Sequence, residues 1–467
     1  MASGVGGDTV PAMTAPLEAR PDVWADVLAK YDRRAPRYTS YPPIPAWSAA
    51  VGPSAYSDAL AVAGADPAAT FSLYLHLPFC PRRCLYCGCN VVITRRRGAL
   101  EAYLDRLEKE VDLVTQIVGR RRRVTQLHLG GGTPNYLDDA ELERLWRILD
   151  LQFDLTAARD TSIEADPRLG AAEQFARLHA LGFRRVSFGV QDLEPRVQQA
   201  IGRVQPLDLV RHAIESAHSV GFGGVSLDLI YGLPEQTLES FGRTLDAIVE
   251  LAPDRVACFG YAHLPTMYPH ERALERYHLP DASERFALQR LAAEHLTRAG
   301  YTWIGLDHFA IPQDDLSLAA RHGRLHRNFN GYTTMPADHL LGFGMSAIGE
   351  VAGTLVQNDA DLAGWHARIH GGELATVRGH RLTEGDRRRR AAIQSLMCNL
   401  ELPLALIEDL GAGLTSLLTF ADDGLVERRG DRVVVTPTGR FFLRTLCTAF
   451  DAYLPMASDA RPISLAI

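Results

Sequence analysis

The sequence predicts an α/β protein. A parallel sheet closes into a full or partial (β/α) barrel, with an N-terminal arm before it and a small, mostly helical, winged-helix-like domain after it. Two observations carry this. From Phe71 onward, seven short stretches rich in strand formers recur, each ended by Gly, Pro or Asp, with helical patterns between them; strands alternating with helices build a parallel sheet. The chemically distinctive residues fall at the ends of those stretches, where active-site groups gather when such strands close into a barrel.

At 467 residues the chain exceeds a single core of about 250–300 residues, so two units are expected. Apolar content of 46% and charge of 22% are ordinary for a globular protein. A net charge of −7 argues against broad capture of nucleic acid and for a small-molecule partner. Cysteines number seven, with Cys258, Cys398 and Cys447 isolated; this suits a reducing cytoplasm better than a secreted disulfide framework. No stretch reaches the roughly 18 consecutive apolar residues of a membrane span. Residues 1–23 have neither a basic start nor an apolar run and read as a disordered tail.

Residues 24–70 form the arm: a helix near Val23 to Tyr31, then PRYTSYPPIPAW from Pro36 to Trp47, whose prolines forbid regular structure while its aromatics can pack. The barrel core spans 71–365. Its candidate strands are FSLYLHLP, VTQLHLGGG, TSIEADP, RVSFGVQD, GVSLDLIYGLP, RVACFGYAH and YTWIGLDHFA. The clearest intervening helix runs from Ala99 to Val118, with Leu100, Tyr103, Leu104, Leu107, Val111, Val114 and Val118 on one face. Residues 366–467 change to helices followed by DDGLVERRGDRVVVTPTGRFFLRTLCTAF, a turn, a two-stranded wing and a closing helix. From Arg381 onward 11 Arg stand against 11 Asp plus Glu, whereas a DNA footprint needs clustered positive charge. Arg387 to Arg390 read as a solvated helix face.

FCPRRCLYCGCN, from Phe79 to Asn90, concentrates four thiols after the first strand. Two readings are open. Cys80, Cys84 and Cys87, spaced C-x3-C-x2-C, suit a cubane cluster held by three thiolates with one iron left open; alternatively Cys80, Cys84, Cys87 and Cys89 enclose a structural zinc, although Cys89 lies only two residues past Cys87.

With Tyr86 before the last cluster cysteine, a strand ahead of the loop and GGGTP downstream, this segment resembles the radical S-adenosylmethionine enzymes. The resemblance is closer still to the oxygen-independent coproporphyrinogen III oxidase (coproporphyrinogen dehydrogenase) family. It runs from PRYTSYP through the C-terminal helices, on LYLHLPFC, CGCN, GGGTPNYL, SIEADPR, SFGVQD, DLIYGLPEQT, YAHLPT, DHFA, LHRNF, GYTT, GFGMSAIG and LMCNLEL. It implies a [4Fe-4S] cluster on Cys80, Cys84 and Cys87 and two S-adenosylmethionine molecules. The activity implied is radical oxidative decarboxylation of two propionates of coproporphyrinogen III to vinyls. The CGC tail is typical of the decarboxylating enzymes, with Cys89 off the cluster, while haem-carrying paralogues usually have another residue there. Two further readings stay open: a related enzyme using the second S-adenosylmethionine as a carbon donor on another substrate, and a non-catalytic haem carrier.

By the same resemblance Tyr74, Gly131, Glu164 and Ile348 match contacts of the first S-adenosylmethionine. Tyr86, Gly132, Thr133, Gln191, Arg203, Asp228 and Ala262 match contacts of the second. Cys89 and Tyr74 join the cluster ligands as catalytic positions. Without the family, GGG reads as a turn, and Arg203 and Asp228 as surface or capping residues. A substrate with four propionates needs cations: His326 and Arg327 in LHRNF lead, followed by Arg37, Arg82, Arg83, His263 and His308. The implied partners are a tetrapyrrole, an electron donor such as flavodoxin or ferredoxin and an unidentified acceptor. Neither nucleic acid nor membrane is implied, and a monomer is expected. Asn330 stands where the family has Gln before GYTT, Ile311 follows HFA where some relatives are basic, Gly260 replaces a larger residue, and the chain ends ISLAI where an arginine is common.

Overall fold

The computed structural model describes residues 21–408 and 410–454; the expected tail up to residue 20 and the final ISLAI lie outside the described residues. The first helix runs Pro21–Tyr31 and takes in the last residues assigned to that tail.

Six of the seven expected strands form one parallel arc: β1 (Phe71–Leu77), β2 (Arg122–Gly131), β3 (Asp160–Ala165), β4 (Arg185–Gln191), β5 (Gly224–Tyr231) and β6 (Arg255–Gly260). Helices supply the crossovers that parallel pairing requires. The first of them, Arg97–Val118, buries every apolar residue expected on its inner face and also Glu110 and Thr115.

The seventh stretch, YTWIGLDHFA, does not join as a parallel strand. It folds into an antiparallel hairpin of β7 (Thr302–Gly305) and β8 (His308–Ala310), and β8 lies antiparallel to β6. Only Leu306 and Asp307 separate the two strands, and a parallel return needs about a dozen residues. The seventh parallel member comes from elsewhere. After the small hairpin of β9 (His326–Asn328) and β10 (Gly331–Thr333), β11 (His339–Phe343) pairs parallel with the free side of β1. Antiparallel β12 (Ile348–Val351), β13 (Thr354–Asn358) and β14 (Thr376–Arg381) extend the sheet from there. The arc therefore stays open as a partial barrel. Its sheet also runs past residue 365, where the core was expected to end.

The last unit has winged-helix order: a helix Glu384–Asn399, β15 (Glu401–Pro403), a helix Gly411–Asp422, then the wing of β16 (Val426–Arg429) and β17 (Arg432–Val435) in one small sheet. The arm straps this unit to the barrel. Tyr38 donates to Asp451 at 3.0 Å and Tyr41 to the Phe450 carbonyl at 3.3 Å, while Arg327 of β9 donates to the Tyr38 carbonyl at 2.6 Å. Among the described residues no helix is long and apolar enough to cross a membrane.

Candidate active site

On β2 to β5 the inner face of the arc is half-exposed and polar: His128 on β2, Ser162 and Glu164 on β3, Ser187 and Gly189 on β4, Ser226 and Asp228 on β5. Register sets His128 beside Ser162, Glu164 beside Ser187 and Gly189 beside Asp228. Closed barrels fill this layer with branched apolar side chains. Small and polar residues here leave the face open and partly exposed instead. The serines and the histidine were not singled out from the sequence; the period-two patterns SIE, SFG and SLD carried the signal.

The cysteine loop and the glycine loop are docked as one piece. Gly132 N–H donates to the Leu77 carbonyl at 2.8 Å and Thr133 N–H to the Phe79 carbonyl at 3.0 Å. The contact tolerates no side chain: a Cβ on Gly132 would lie 2.5 Å from the Pro78 backbone, and one on Gly131, whose φ is +108°, would lie 2.6 Å from the His76 ring.

Two of the thiols are held from different parts of the chain. Cys80 Sγ and Thr133 Oγ1 are 3.1 Å apart, and Arg203 Nη1 lies 3.5 Å from Cys84 Sγ. Burial pushes the Cys80 thiol up to about 11; the hydrogen bond with Cys89 brings Cys87 down to about 7. Cys80, Cys84 and Cys87 are partly buried, and Cys89 is exposed. Among the described residues no three His, Cys, Asp or Glu converge on a single metal ion. A cubane instead takes each thiolate on a separate iron, and three thiols on one short wrapped loop fit that demand.

Glu164 is the hub of the near half. Its carboxylate accepts from Gly131 N–H at 3.0 Å and lies 3.3 Å from His128 Nε2; His128 Nδ1 lies 2.8 Å from Ser162 Oγ. Burial pushes this carboxyl up, but His128, Gly131 and His76 together outweigh it and hold it below its ordinary value. Tyr74 stacks on His128 with centroids 5.9 Å apart. Its hydroxyl meets His76 Nδ1 at 3.0 Å, and His76 Nε2 donates to the Asn90 carbonyl at 2.8 Å. Phe329, from the β9–β10 turn, meets the Tyr74 ring edge-on at 6.3 Å and packs beside Ile348.

The far half is built around Arg203. It donates to the Gly189 carbonyl through Nε at 3.1 Å and Nη2 at 2.6 Å, and to Asp166 at 3.1 Å. Asp166, absent from the sequence-based set, is also clamped by Arg168. Gln191 sits at φ +69°, where β4 bulges against β5, a conformation that side chains other than Gly rarely adopt. Asp228 accepts from Ser187 at 2.9 Å; burial, followed by the charge of Glu164, pushes it up to about 7. Tyr86 packs against Val197, Ile201, Leu233 and Tyr261, one residue before Ala262.

The candidate cations divide. Asp307 gathers Arg37 at 3.1 Å and His308 at 3.2 Å. Burial pushes Asp307 up, but His308, Arg37 and Arg327 bring it down to about 2. Arg327 is buried, lies 5.3 Å over the Tyr332 ring, and keeps a buried Nε without a partner. His263 is engaged by Tyr261 at 3.0 Å and Glu275 at 3.4 Å. His326, Arg82 and Arg83 are exposed. At Gly260 a Cβ would lie 2.8 Å from the Tyr231 hydroxyl, so Tyr231 fills the space of the larger residue expected there. Both polar atoms of the Asn330 amide are buried without a partner.

The radical SAM superfamily model matches residues 74–248. The oxygen-independent coproporphyrinogen III oxidase of Escherichia coli K12 is 40% identical over 450 residues, covering 94% of this chain and 98% of its own. That of Pseudomonas aeruginosa is 39% identical over 449 residues, covering 94% and 97%. Among solved structures, the E. coli coproporphyrinogen III oxidase, described as a radical SAM enzyme, superposes with a TM-score of 0.84 at 40% identity over 89% of this chain and 97% of that one.

Proposed function

The chain belongs to the oxygen-independent coproporphyrinogen III oxidase family of radical SAM enzymes, and from that premise we propose that its strand-end site decarboxylates two propionates of coproporphyrinogen III to vinyls. The product is protoporphyrinogen IX, in anaerobic haem biosynthesis. The observation that carries this reading is the joint anchoring of the thiol loop, Cys80 on Thr133 and Cys84 on Arg203, which supports a second S-adenosylmethionine beside the cluster, since both residues belong to the set matched to that molecule.

When bound on Cys80, Cys84 and Cys87, the reduced [4Fe-4S] cluster supplies the electron that splits S-adenosylmethionine into methionine and a 5′-deoxyadenosyl radical. With that chemistry supplied, each propionate would lose one hydrogen atom from the carbon next to the ring, carbon dioxide, and one electron that passes to an acceptor. Two rounds leave two vinyls.

This chain's residues bind and orient. Glu164, kept ionised by its neighbours, offers acceptor oxygens to the hydroxyls or amine of the first S-adenosylmethionine; Tyr74 and Ile348 supply the walls and Gly131 the close backbone approach. The second rests on Tyr86, Gly132, Thr133, Gln191, Asp228 and Ala262. Of the five N–H groups of Arg203, four are committed, leaving one Nη2 hydrogen for an incoming carboxylate. Propionate recognition falls to Arg327, supported by Arg37 and His308, with His326 at the exposed rim. The reading carries a flavodoxin- or ferredoxin-type donor, a monomeric enzyme and a cytoplasmic setting.

The test is anaerobic reconstitution with reductant, S-adenosylmethionine and coproporphyrinogen III, following deoxyadenosine and tetrapyrrole masses. Loss of two carbon dioxides and four hydrogens is expected. Deoxyadenosine formed over an unchanged tetrapyrrole would overturn the assignment.

A further inference from the structure

The cysteine loop is ringed by arginines that the reaction chemistry does not use. The two-residue strand Phe79–Cys80 pairs with Val92–Ile93, and Thr94 N–H donates to the Cys80 carbonyl at 3.1 Å. Two arginine pairs leave this crossing: Arg82 and Arg83 on one side, Arg95 and Arg96 on the other. All four are exposed, and none makes an ion pair among the described residues. Ile93, which pairs with Cys80 and lies between the two pairs in sequence, is 39% exposed.

Several arginines of other basic runs are paired. Arg97 pairs with Asp138 at 2.9 Å; Arg387 and Arg388 pair with Glu384, and Arg390 with Glu350. The acidic segment that approaches, where Asn90 donates to the Ala360 carbonyl at 3.0 Å, has its charges spent: Asp359 faces Arg368 and Asp361 caps a helix. Four exposed arginines without ion pairs, on two adjoining segments that also expose Ile93, on a chain of net charge −7, have the electrostatic and compositional profile of a protein-docking patch.

We propose that Arg82, Arg83, Arg95 and Arg96, with Ile93 at the centre, form the docking surface for a small acidic one-electron carrier protein that reduces the centre held by this loop. The proposal rests on the radical SAM reading above and names the partner of that site. The transfer balances simply: the carrier loses one electron and the centre gains it, with no bond made or broken at the surface. A nucleic acid would need a longer basic stripe, and the tetrapyrrole propionates already have inner cations in Arg37, His308 and Arg327.

The experiment titrates the reconstituted holoprotein with oxidised flavodoxin, reading binding by flavin fluorescence anisotropy. R95E/R96E is the probe; glutamates at the start of the helix Arg97–Val118 suit its dipole, so the fold is retained. Binding about tenfold weaker at low salt, with the difference erased near 0.5 M salt, is expected. R123E, at the opposite end of β2, should bind like the parent. Flavodoxin hydroquinone should reduce the R95E/R96E centre more slowly, while dithionite-driven turnover is unchanged. Equal affinity of parent and R95E/R96E, or an effect only on the KM for tetrapyrrole, overturns the proposal. If the binding difference holds but coproporphyrinogen III is never converted, the docking surface stands and the proposed reaction falls.

Discussion

Glu164 and Asp228 are two carboxylates on the same inner face, with β4 between their strands, and their surroundings give them opposite characters. Glu164 has His128 and the Gly131 amide against it and lies below its ordinary value. Asp228 has a single neutral donor, Ser187, and burial with the charge of Glu164 lifts it to about 7. The chain itself supplies the donors to the Glu164 carboxylate, whereas it gives Asp228 only the Ser187 hydroxyl. Position on the strand does not decide a carboxylate's role, and its neighbours do.

The widest separation of the halves should come from the thiols. Ser at Cys80, Cys84 or Cys87 should remove the iron and reduce deoxyadenosine formation to background, whereas Cys89→Ser should keep the iron and its absorbance. Iron loss from Cys89→Ser would join that residue to the ligand set and revive the four-thiol reading.

Next is Gly131→Ala. The left-handed backbone and a Cβ 2.6 Å from His76 would push that ring off Tyr74 and Asn90, and a displacement of about 1 Å at a reacting site costs on the order of 100-fold. The loss should fall on kcat with S-adenosylmethionine and appear while iron content is normal. Full activity would mean that the His76 ring yields freely.

The titration sharpens the contrast. If the second S-adenosylmethionine needs Asp228 ionised to accept its hydroxyls, affinity should rise about tenfold per pH unit up to about 7 and then level. Asp228→Asn should flatten that profile, and Glu164→Gln should weaken binding without adding a slope there. Stability runs the other way. Asp228 and Glu110 are raised from 3.8 and 4.5 to about 7 in the folded chain, so the folded state holds protons that the unfolded chain has released. Stability is fullest below the ordinary values and falls as pH rises toward about 7. Urea unfolding of Glu110→Gln across that range should lose its share of the slope.

How much of this was legible follows from what periodicity records. Six strands and the groups at their ends were readable because each stretch is short, apolar and stopped by Gly, Pro or Asp. The seventh was misassigned because YTWIGLDHFA reads like its predecessors; its direction is set by the two-residue turn at Leu306–Asp307, whose Leu306 takes φ +36°. The true seventh parallel strand, His339–Phe343, gains its place through pairing with β1, a contact distant in sequence. Glu110 escaped the helical pattern because a buried carboxylate looks like a surface one until its partners, the Gly344 amide at 2.7 Å and Asn358 at 2.6 Å, are folded against it. Asp166 and His128 were missed likewise: their meaning lies in Arg203 and Glu164, brought up by other strands.

The smallest expected effect tests how firmly the two loops are joined. Thr133→Val keeps the shape of the side chain and removes only the hydroxyl that meets Cys80 Sγ at 3.1 Å. Two backbone bonds, from Gly132 to Leu77 and from Thr133 to Phe79, still dock the glycine loop, so the fold should survive with a loss of about 1 kcal/mol. Among the described residues the hydroxyl is also the one side-chain donor at that thiol, so its removal should leave the Cys80 sulfur richer in charge and quicken iron release to a chelator a few-fold, with no change at Cys84, which Arg203 holds independently. Iron release unchanged by Thr133→Val would mean that the backbone bonds alone fix the loop and that the thiol loop owes nothing to this contact.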